Sequence, residues 1–356
     1  MRLLVVRLRQ IGDVVFTTPA LAALRGRFGT ASITYLVEPA AAPVLAGNPH
    51  IDELVVVPTA TGLEGVRALW GLIRRLRTQR FDLAIDFHGG PRASLITWLS
   101  GAPRRIGYDV AGRGWMYTDR VNRPRTLRPR HSVENQWDLL IPLGISPPHR
   151  TADPVFMAVD EVSRRSVAER LAAAGVEPSA ALVVIHVSAG NPFRRWPIPA
   201  FAEVAASLVA TNPTRRILIT SGPSERDAAA AVIEAARERL GPGTASRVLA
   251  CGEFSLSELR ALTENAALYI GGDSGPMHVA ATSQVPIVTL YGPTLPARSA
   301  PWRPATLPAE ALEILGLPCR PCEQRVCVPG DFRCLTWIRP DQVVAAAERA
   351  LNHPSR

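Results

Sequence analysis

The sequence contains no lysine, and all 40 of its basic residues are arginine. This absence excludes a P-loop lysine, a Schiff-base lysine and any lysine general base. Aromatic residues are also scarce, at 6% of the chain. No apolar run approaches the roughly 18 to 20 residues of a membrane-spanning helix, so we expect no membrane span.

The chain has 356 residues, 47% of them hydrophobic and 20% charged. This composition is typical of a soluble globular protein, and the length predicts about two domains. Arg7, Arg9 and Asp13 interrupt the apolar start, so we interpret it as the first strand of a cytoplasmic protein rather than a signal peptide. A formal net charge of +9 favours anionic partners: phosphates, nucleic acid or an acidic membrane surface.

Short β-rich runs alternate with helical patterns along both halves of the chain, which predicts parallel βαβ units. In the first half we predict strands at 3–8, 32–37, 53–57, 82–87 and 105–108, and helices at 14–28, 63–78, 92–99 and 133–143. In the second half we predict strands at 181–187, 216–220, 247–251, 268–270 and 287–290, and helices at 199–211, 225–240, 256–266 and 341–351. The segment 144–154, rich in proline and small polar residues, has the composition of a linker.

We therefore predict an α/β protein with two doubly wound domains, 1–154 and 155–356, in which the last helix is a candidate to pack back on the first domain. Open α/β sheets bind ligands in the crevice at the carboxyl ends of their strands. Functional residues are accordingly expected in the loops that follow predicted strands.

Three such loops carry reactive or anion-binding residues: 9–13 (RQIGD), 188–197 (SAGNPFRRWP) and 271–278 (GGDSGPMH). The first lacks the GxGxxG spacing of a dinucleotide site. In it, Asp13 is either a carboxylate in the crevice or a cap for the following helix. In the third, the glycines and the helix start either bind a diphosphate or form an ordinary turn, capped by Asp273 and with His278 as a packed residue. Arg194 and Arg195 either neutralise phosphate oxygens or stay solvated.

Taken together, the three loops resemble the signatures of a known family. The segments RLRQIGDVVFTTPAL at 7–21, NPFRRWP at 191–197 and GGDSGPMHVAA at 271–281 are similar to those of glycosyltransferase family 9, the ADP-heptose:lipopolysaccharide heptosyltransferases. The resemblance covers nearly the whole chain in matching order. It implies the GT-B fold, two Rossmann-like domains facing across a cleft, with the acceptor on the first and the nucleotide sugar on the second.

The resemblance also implies residue roles. Asp13, beside Gly12, would be the general base that takes the proton from an acceptor hydroxyl, and the transfer would invert the anomeric centre. The residues that would bind the donor are Ser188 and Arg194 at the phosphates, Asp273, Ser274, Gly275 and His278 at the diphosphate and sugar, and Glu225 near the nucleoside.

The charge that develops on the leaving diphosphate has to be met by prearranged donors. Arg194, the helix amides of 275–277 and Arg195 are the candidates. No metal and no cofactor is then required, and no paired carboxylates suggest one. Two positions depart from the family pattern: Gln10 replaces a small hydroxyl residue, and Arg194 stands where lysine is usual.

Two further clusters stand outside these motifs. The basic segment, residues 112–130, carries six arginines (113, 120, 123, 125, 128 and 130) against a single aspartate. It is either a solvated loop or an acceptor-side surface for phosphorylated or Kdo-bearing lipid A at the inner membrane. Cys319, Cys322, Cys327 and Cys334 form the second cluster, for which a structural metal, free thiols and a disulfide remain open.

The sequence thus predicts a cytoplasmic, inverting heptosyltransferase of lipopolysaccharide inner-core assembly, in peripheral contact with the inner face of the inner membrane. Its partners would be ADP-heptose and a lipid A/Kdo or heptosylated core acceptor. One alternative is a family relative that moves another sugar from another nucleotide. The other is an arginine-rich nucleic-acid-binding protein, but few aromatic residues accompany the arginines, so we expect no nucleic-acid partner.

Overall fold

The computed structural model describes residues 1–123, 130–187 and 191–353. It divides into two compact units, Met1–Ala158 and Val159–Arg356. Among the described residues, no helix is both long and apolar enough to cross a membrane.

Unit 1 contains a six-stranded parallel sheet in the order β3-β2-β1-β4-β5-β6. The strands are β1 (Arg2–Val6), β2 (Ser32–Val37), β3 (Glu53–Val56), β4 (Leu83–Asp86), β5 (Arg104–Asp109) and β6 (Asp119–Asn122). The helices are α1 (Ile11–Val15), α2 (Thr18–Arg27), α3 (Gly62–Gln79), α4 (Pro91–Leu99) and α5 (Ser132–Trp137), with 3-10 turns at Pro39–Leu45, Gly114–Met116 and Asp138–Leu143. The central strand β1 is buried from Leu3 to Val6, as expected for a strand covered on both faces.

Unit 2 repeats the arrangement with strand order β12-β11-β10-β7-β8-β9, again parallel throughout. The strands are β7 (Ala181–Val187), β8 (Arg215–Ser221), β9 (Val248–Leu249), β10 (Leu268–Gly272), β11 (Ile287–Tyr291) and β12 (Ala309–Glu313). The helices are α6 (Glu161–Ala173), α7 (Ile198–Thr211), α8 (Arg226–Glu238), α9 (Pro242–Ala245), α10 (Leu256–Asn265), α11 (Gly275–Ala280), α12 (Pro296–Ser299), α13 (Arg333–Thr336) and α14 (Pro340–Leu351), with 3-10 turns at Pro192–Arg194 and Pro223–Glu225.

The last helix, α14, packs on the sheet of unit 2. Val343, Ala346, Ala347 and Ala350 belong to the core that β7, β8, β10 and β11 share with α7. Glu348 also receives two hydrogen bonds from the buried Arg215, at 2.5 and 2.7 Å. The apolar face of this helix therefore contributes to the core of the second unit.

The sequence prediction of an α/β class with two doubly wound units is confirmed, and the differences are local. The helix predicted at 14–28 is two helices, since Pro19 sits in the first turn of a new one. Beyond Trp137, the helix predicted at 133–143 continues as a 3-10 helix that contains Pro142. The prediction missed α6, the polar edge strand β6 and the edge strand β12, whose sequence AEALE favours a helix.

Candidate functional site

The sheet of unit 2 reverses its strand order between β7 and β10. The chain runs from β7 to β8 on one side and returns at β10 on the other, so the loops after β7 and β10 diverge at this switch point. In open α/β sheets, this crevice is the usual ligand site. Asp273 and Ser274 follow β10 directly. Ser188 follows β7 but lies outside the described residues. Asn191 is the next described residue of that loop.

Asp273 is the buried centre of this crevice, with 3% of its surface exposed. Thr294 Oγ1 donates to its Oδ2 at 2.5 Å, Arg194 Nη1 lies 3.4 Å from the same oxygen, and His278 Nε2 lies 3.5 Å from Oδ1. Burial raises the pKa of Asp273, but His278, Arg194 and Thr294 more than offset this effect, so the pKa lies below its usual range. Asp273 therefore stays a carboxylate at neutral pH.

Arg194 is fixed at the end of a 3-10 turn by three hydrogen bonds. Its Nη1 donates to the carbonyl oxygen of Asp273 at 3.0 Å and also to the carboxylate, while its Nε donates to Oε1 of Gln324 at 2.8 Å. Asn191 Nδ2 donates to the same glutamine oxygen at 2.8 Å. Within the described part of the chain, Nη2 of Arg194 makes no hydrogen bond or ion pair, so this nitrogen remains available for a ligand.

Sequence reasoning missed two members of this network, Thr294 and Gln324. Thr294 follows β11, the strand next to β10, and a search of the residues after that strand would have found it. Gln324 lies in the cysteine-rich segment, in the left-handed region at φ 58°. No pattern in the sequence distinguishes it from its neighbours.

The start of α11 offers fewer free amides than the sequence suggested. Pro276 has no N–H, and the amide of Met277 donates to the carbonyl oxygen of Ser274 at 3.1 Å. Of the three amides expected to meet an anion at 275–277, that of Gly275 remains. The expectation of a row of amides is therefore wrong, because the first turn of this short helix closes on Ser274.

Glu225 lies at the same edge of the sheet, after β8, and is 7% exposed. Ser224 Oγ donates to its Oε1 at 2.6 Å, and Arg195 Nη2 lies 3.7 Å from the same oxygen. Beside it is a cavity of about 380 Å³, lined by Ile219, Ser221, Arg226, Ala229, Ala230, Ile233, Ala250, Gly252 and Glu253. A mostly apolar slot with a few polar groups at its mouth is the usual form of a small-molecule subsite.

Unit 1 has its own switch point, between β1 and β4. Asp13, in the first turn of α1, ion-pairs through Oδ2 with Nη2 of Arg7, and its side chain is 34% exposed. Arg7 Nη1 donates to the carbonyl oxygen of Phe87 at 2.6 Å and so ties the loops after both strands together. Gly12 is buried in α1, and Gln10 is its cap residue, without a side-chain cap bond. Asp13 thus lies in the first turn of α1 and not at its cap position.

The buried carboxylate of Asp86 supports the loop after β4. Asp86 is fully buried, and it accepts hydrogen bonds from Tyr117 at 2.6 Å and from the backbone amides of His88 and Gly89. The Tyr117 oxygen in turn accepts a hydrogen bond from Ser94 Oγ at 2.7 Å. Burial, followed by the charge of Arg7, lowers the pKa of His88 to about 4, so this imidazole is neutral at pH 7.

The basic segment, residues 112–130, is largely engaged with unit 1. Arg113 donates to a backbone carbonyl oxygen at 3.3 Å, Arg123 lies 5.0 Å over the ring of Tyr108, and Arg130 donates to Asp138 at 2.7 Å. The arginines at 125 and 128 lie outside the described residues. Three of the segment's arginines thus already have partners in the protein.

All four clustered cysteines are half-buried free thiols. Burial raises the pKa of Cys334. Across the described ranges, no group of three or more His, Cys, Asp or Glu side chains is arranged to hold a metal ion. Of the three states left open by the sequence, the structure shows the free thiols.

Comparisons with known proteins identify the family. The model of glycosyltransferase family 9 (heptosyltransferase) matches residues 69–331. The chain belongs to glycosyltransferase family 9. This membership confirms the resemblance drawn from the three loops and the prediction of a glycosyltransferase.

Relatives of this family 9 member match it along almost its whole length. Lipopolysaccharide heptosyltransferase 3 of Escherichia coli is 27% identical over 343 residues, which cover 96% of each chain. A solved family 9 glycosyltransferase from Veillonella parvula superposes with a TM-score of 0.82 at 26% identity, covering 98% of this chain and 97% of that one. The E. coli heptosyltransferase WaaC, solved with ADP-2-deoxy-2-fluoro heptose, shares the fold at a TM-score of 0.69 and 19% identity, covering 98% and 99% of the two chains.

Proposed function

We propose that this family 9 enzyme transfers heptose from ADP-heptose to the inner core of lipopolysaccharide, with inversion at the anomeric carbon. Two relatives support the proposal. The E. coli relative carries the name of a lipopolysaccharide heptosyltransferase, and WaaC, which shares the fold, was solved with a fluorinated ADP-heptose. The observation that carries the proposal is the Asp273 network, a buried carboxylate that fixes an arginine at the switch point of unit 2.

In this proposal, the network holds the diphosphate of the donor. Asp273 fixes Arg194, whose Nη2 is available to meet phosphate oxygens, and the match to the family motifs assigns Ser188 and Ser274 to the same donor. The amide of Gly275 adds a further donor. His278, on the other side of the Asp273 carboxylate, contacts the sugar.

The nucleoside would lie along the edge of the sheet toward β8 and β9. Glu225 is buried beside the cavity of about 380 Å³, and a carboxylate there accepts hydrogen bonds from the two ribose hydroxyls. The alanine and isoleucine walls of the cavity suit the faces of a purine base. Arg195, which reaches Glu225 at 3.7 Å, would shift toward the diphosphate when the donor binds.

The chemical step balances without a metal or cofactor. An acceptor hydroxyl oxygen forms the new bond to C1 of the sugar, while its proton passes to the carboxylate of Asp13. The bond between C1 and the phosphate oxygen breaks, and its electron pair leaves on ADP. Prearranged cations that meet such developing charge are usually a large catalytic contribution, and Arg194 supplies one. Attack opposite the leaving group inverts the centre.

Arg7 prepares Asp13 for this role. Its ion pair holds the carboxylate in one orientation, and its bond to the carbonyl oxygen of Phe87 anchors the guanidinium. A positioned base contributes on the order of 10² to 10⁴ in rate. Gly12, which the family resemblance places in the acceptor site, is buried next to it.

The acceptor in this proposal is a lipid A/Kdo or heptosylated core saccharide on the cytoplasmic side of the inner membrane. The alternative within the family is transfer of another sugar from another nucleotide. Thermal shift with ADP-heptose, UDP-sugars and GDP-sugars distinguishes them. Stabilisation by ADP-heptose is expected, and a shift produced only by UDP- or GDP-sugars would support the alternative.

The mechanism is tested by Asp13→Asn, with Asp52→Asn as a matched control, because Asp52 is also an arginine-paired aspartate of unit 1. We expect the first variant to lose at least 100-fold in transfer rate and to keep its affinity for ADP, and the control to retain activity. NMR of the product measures the anomeric configuration. Full activity in Asp13→Asn, or retention of configuration, would overturn the mechanism.

A further inference from the structure

The solvent-facing side of α3 departs from what a surface helix normally presents. Such helices bury one apolar face and turn polar residues to water. The core-facing side of α3 is supplied by residues such as Leu72 and Leu76, which are buried. On the outer side, Leu63, Val66 and Trp70 are 81%, 53% and 55% exposed. The helix therefore carries a second apolar stripe with nothing packed on it among the described residues.

Arginines share this outer stripe. At about 100° per residue, Arg67, Arg74 and Arg77 fall within about 60° of Leu63 on the helix circumference, as Val66 and Trp70 do. Across the described ranges, these three side chains make no hydrogen bond and no ion pair. The helix thus combines exposed apolar groups with unpaired positive charge on one side.

The remaining charges of α3 lie off this stripe. Arg75, about 120° from Leu63 by the same geometry, is paired with Glu53 at 2.5 Å. The carboxylate of Glu64 lies about 100° away. The stripe itself contains no acidic residue, so all of its charges are positive.

We propose that this outer stripe of α3, defined by Leu63, Val66, Arg67, Trp70, Arg74 and Arg77, docks the enzyme on the surface of an anionic lipid bilayer. Tryptophan and leucine side chains bury in the boundary between headgroups and acyl chains, while arginines along the same face reach lipid phosphates. A net charge of +9 attracts the whole protein to such a surface. The inference deepens the proposed function, since an acceptor built on lipid A lies in a membrane.

The charge pattern favours a bilayer over a protein partner or a second copy of this chain. A self-complementary dimer would place three unpaired arginines of one stripe against the same three of the other, and like charges brought together destabilise an interface. The basic segment is a weaker candidate, because Arg113, Arg123 and Arg130 already have partners within unit 1.

Vesicle co-sedimentation tests the proposal with full-length protein. Phosphatidylcholine vesicles with and without phosphatidylglycerol are the probes, at low and raised salt. We expect binding to the anionic vesicles that weakens with salt. The variant R67Q/R74Q/R77Q should lose roughly 100-fold in partition coefficient, from about 1 kcal/mol per charge. The variant L63S/W70S should lose at least tenfold at every salt concentration.

Matched controls lie on unit 2. R165Q/R239Q/R325Q removes the same charge from exposed positions, and Trp337→Ser removes a tryptophan that is 51% exposed. Both controls should bind vesicles within about threefold of the wild type. Circular dichroism and thermal melting check that each variant is folded, and exposed substitutions of this kind usually change stability by less than about 0.5 kcal/mol.

Equal losses in the α3 variants and the controls would overturn the proposal, because binding would then reflect net charge alone. Unchanged binding in the α3 variants would overturn it as well, as would sedimentation velocity showing that the stripe forms a dimer without vesicle binding. Transfer to a delipidated, soluble acceptor should be unaffected in the α3 variants. If the wild type shows no transfer to this acceptor, the proposed function is refuted, whereas the vesicle result is unaffected.

Discussion

Asp273→Asn removes one buried negative charge from unit 2 while preserving the shape of the side chain. Thr294 donates to the carboxylate at 2.5 Å, and Arg194 approaches the same oxygen at 3.4 Å. A hydrogen bond to a charged group is worth about 1.5 to 3 kcal/mol, against about 1 kcal/mol for a neutral one. With two such bonds weakened, we expect unfolding free energy to fall by about 2 kcal/mol.

Ligand binding should also weaken, because Arg194 would lose its ion pair with the carboxylate of residue 273 and would be less well oriented. We expect the affinity for ADP to fall about tenfold, which corresponds to about 1.4 kcal/mol of binding free energy. Isothermal titration calorimetry with ADP measures this change. Urea denaturation measures the stability change.

The pH dependence gives an independent check. The pKa of Asp273 in the folded protein lies below the ordinary aspartate value of 3.8, so its stabilising contribution is fully present above that value and is lost as the pH falls through the folded-state pKa. The difference between wild type and Asp273→Asn should therefore be constant from about pH 8 to about pH 5 and shrink only below about pH 4.

Thr294→Val completes a double-mutant cycle with Asp273→Asn. Since the two side chains are bonded directly, the double variant should be less destabilised than the sum of the single variants, by about 1 kcal/mol. Strict additivity, or an unchanged stability together with an unchanged ADP affinity in Asp273→Asn, would refute the argument that this carboxylate organises the site.

Three further predictions concern unit 2. Burial lowers the pKa of His186 to about 4 from 6.5, so an unfolded chain takes up a proton that the folded protein does not. This group should remove about 3 kcal/mol of stability as the pH falls from about 6.5 to about 4, so the pH profile of His186→Gln in urea denaturation should be flatter than that of the wild type by this amount. Ala230→Phe fills the cavity of about 380 Å³ and should weaken ADP-heptose binding by at least tenfold, as measured by calorimetry. The melting temperature should change by no more than a few degrees. Unchanged affinity would exclude the cavity as the nucleoside site. Arg215→Met leaves Glu348 without its bidentate partner and should destabilise the protein to urea by about 3 kcal/mol, whereas a loss below about 1 kcal/mol would show that α14 is held by its apolar face alone.

Sequence patterns predicted the buried strands well. The predicted bounds of β2 and β7 match the structure because continuous runs of β-branched and apolar residues, as in 32–37 and 181–187, are stable only as covered parallel strands. The edge strand β12 was missed, since AEALE has helical propensity and becomes a strand only through pairing with β11.

The candidate site shows the same contrast between residues that local sequence patterns predict and residues that they miss. Asp13, Arg194 and Asp273 were predicted because each lies in a loop directly after a predicted strand, where the topology of parallel sheets puts ligand sites. Arg7 was not, because its role is a pairing with Asp13 that depends on the conformation of the loop between them.

The sequence by itself determined the α/β class, the division into two repeating halves and the loops that carry the chemistry, because hydrophobic periodicity and short motifs are local properties of the chain. The tertiary structure decided which side chains complete the site. Thr294 and Gln324 reach Asp273 and Arg194 from positions 21 and 130 residues away along the chain. Contacts of this kind depend on the order of strands and the path of distant loops, which no local pattern encodes.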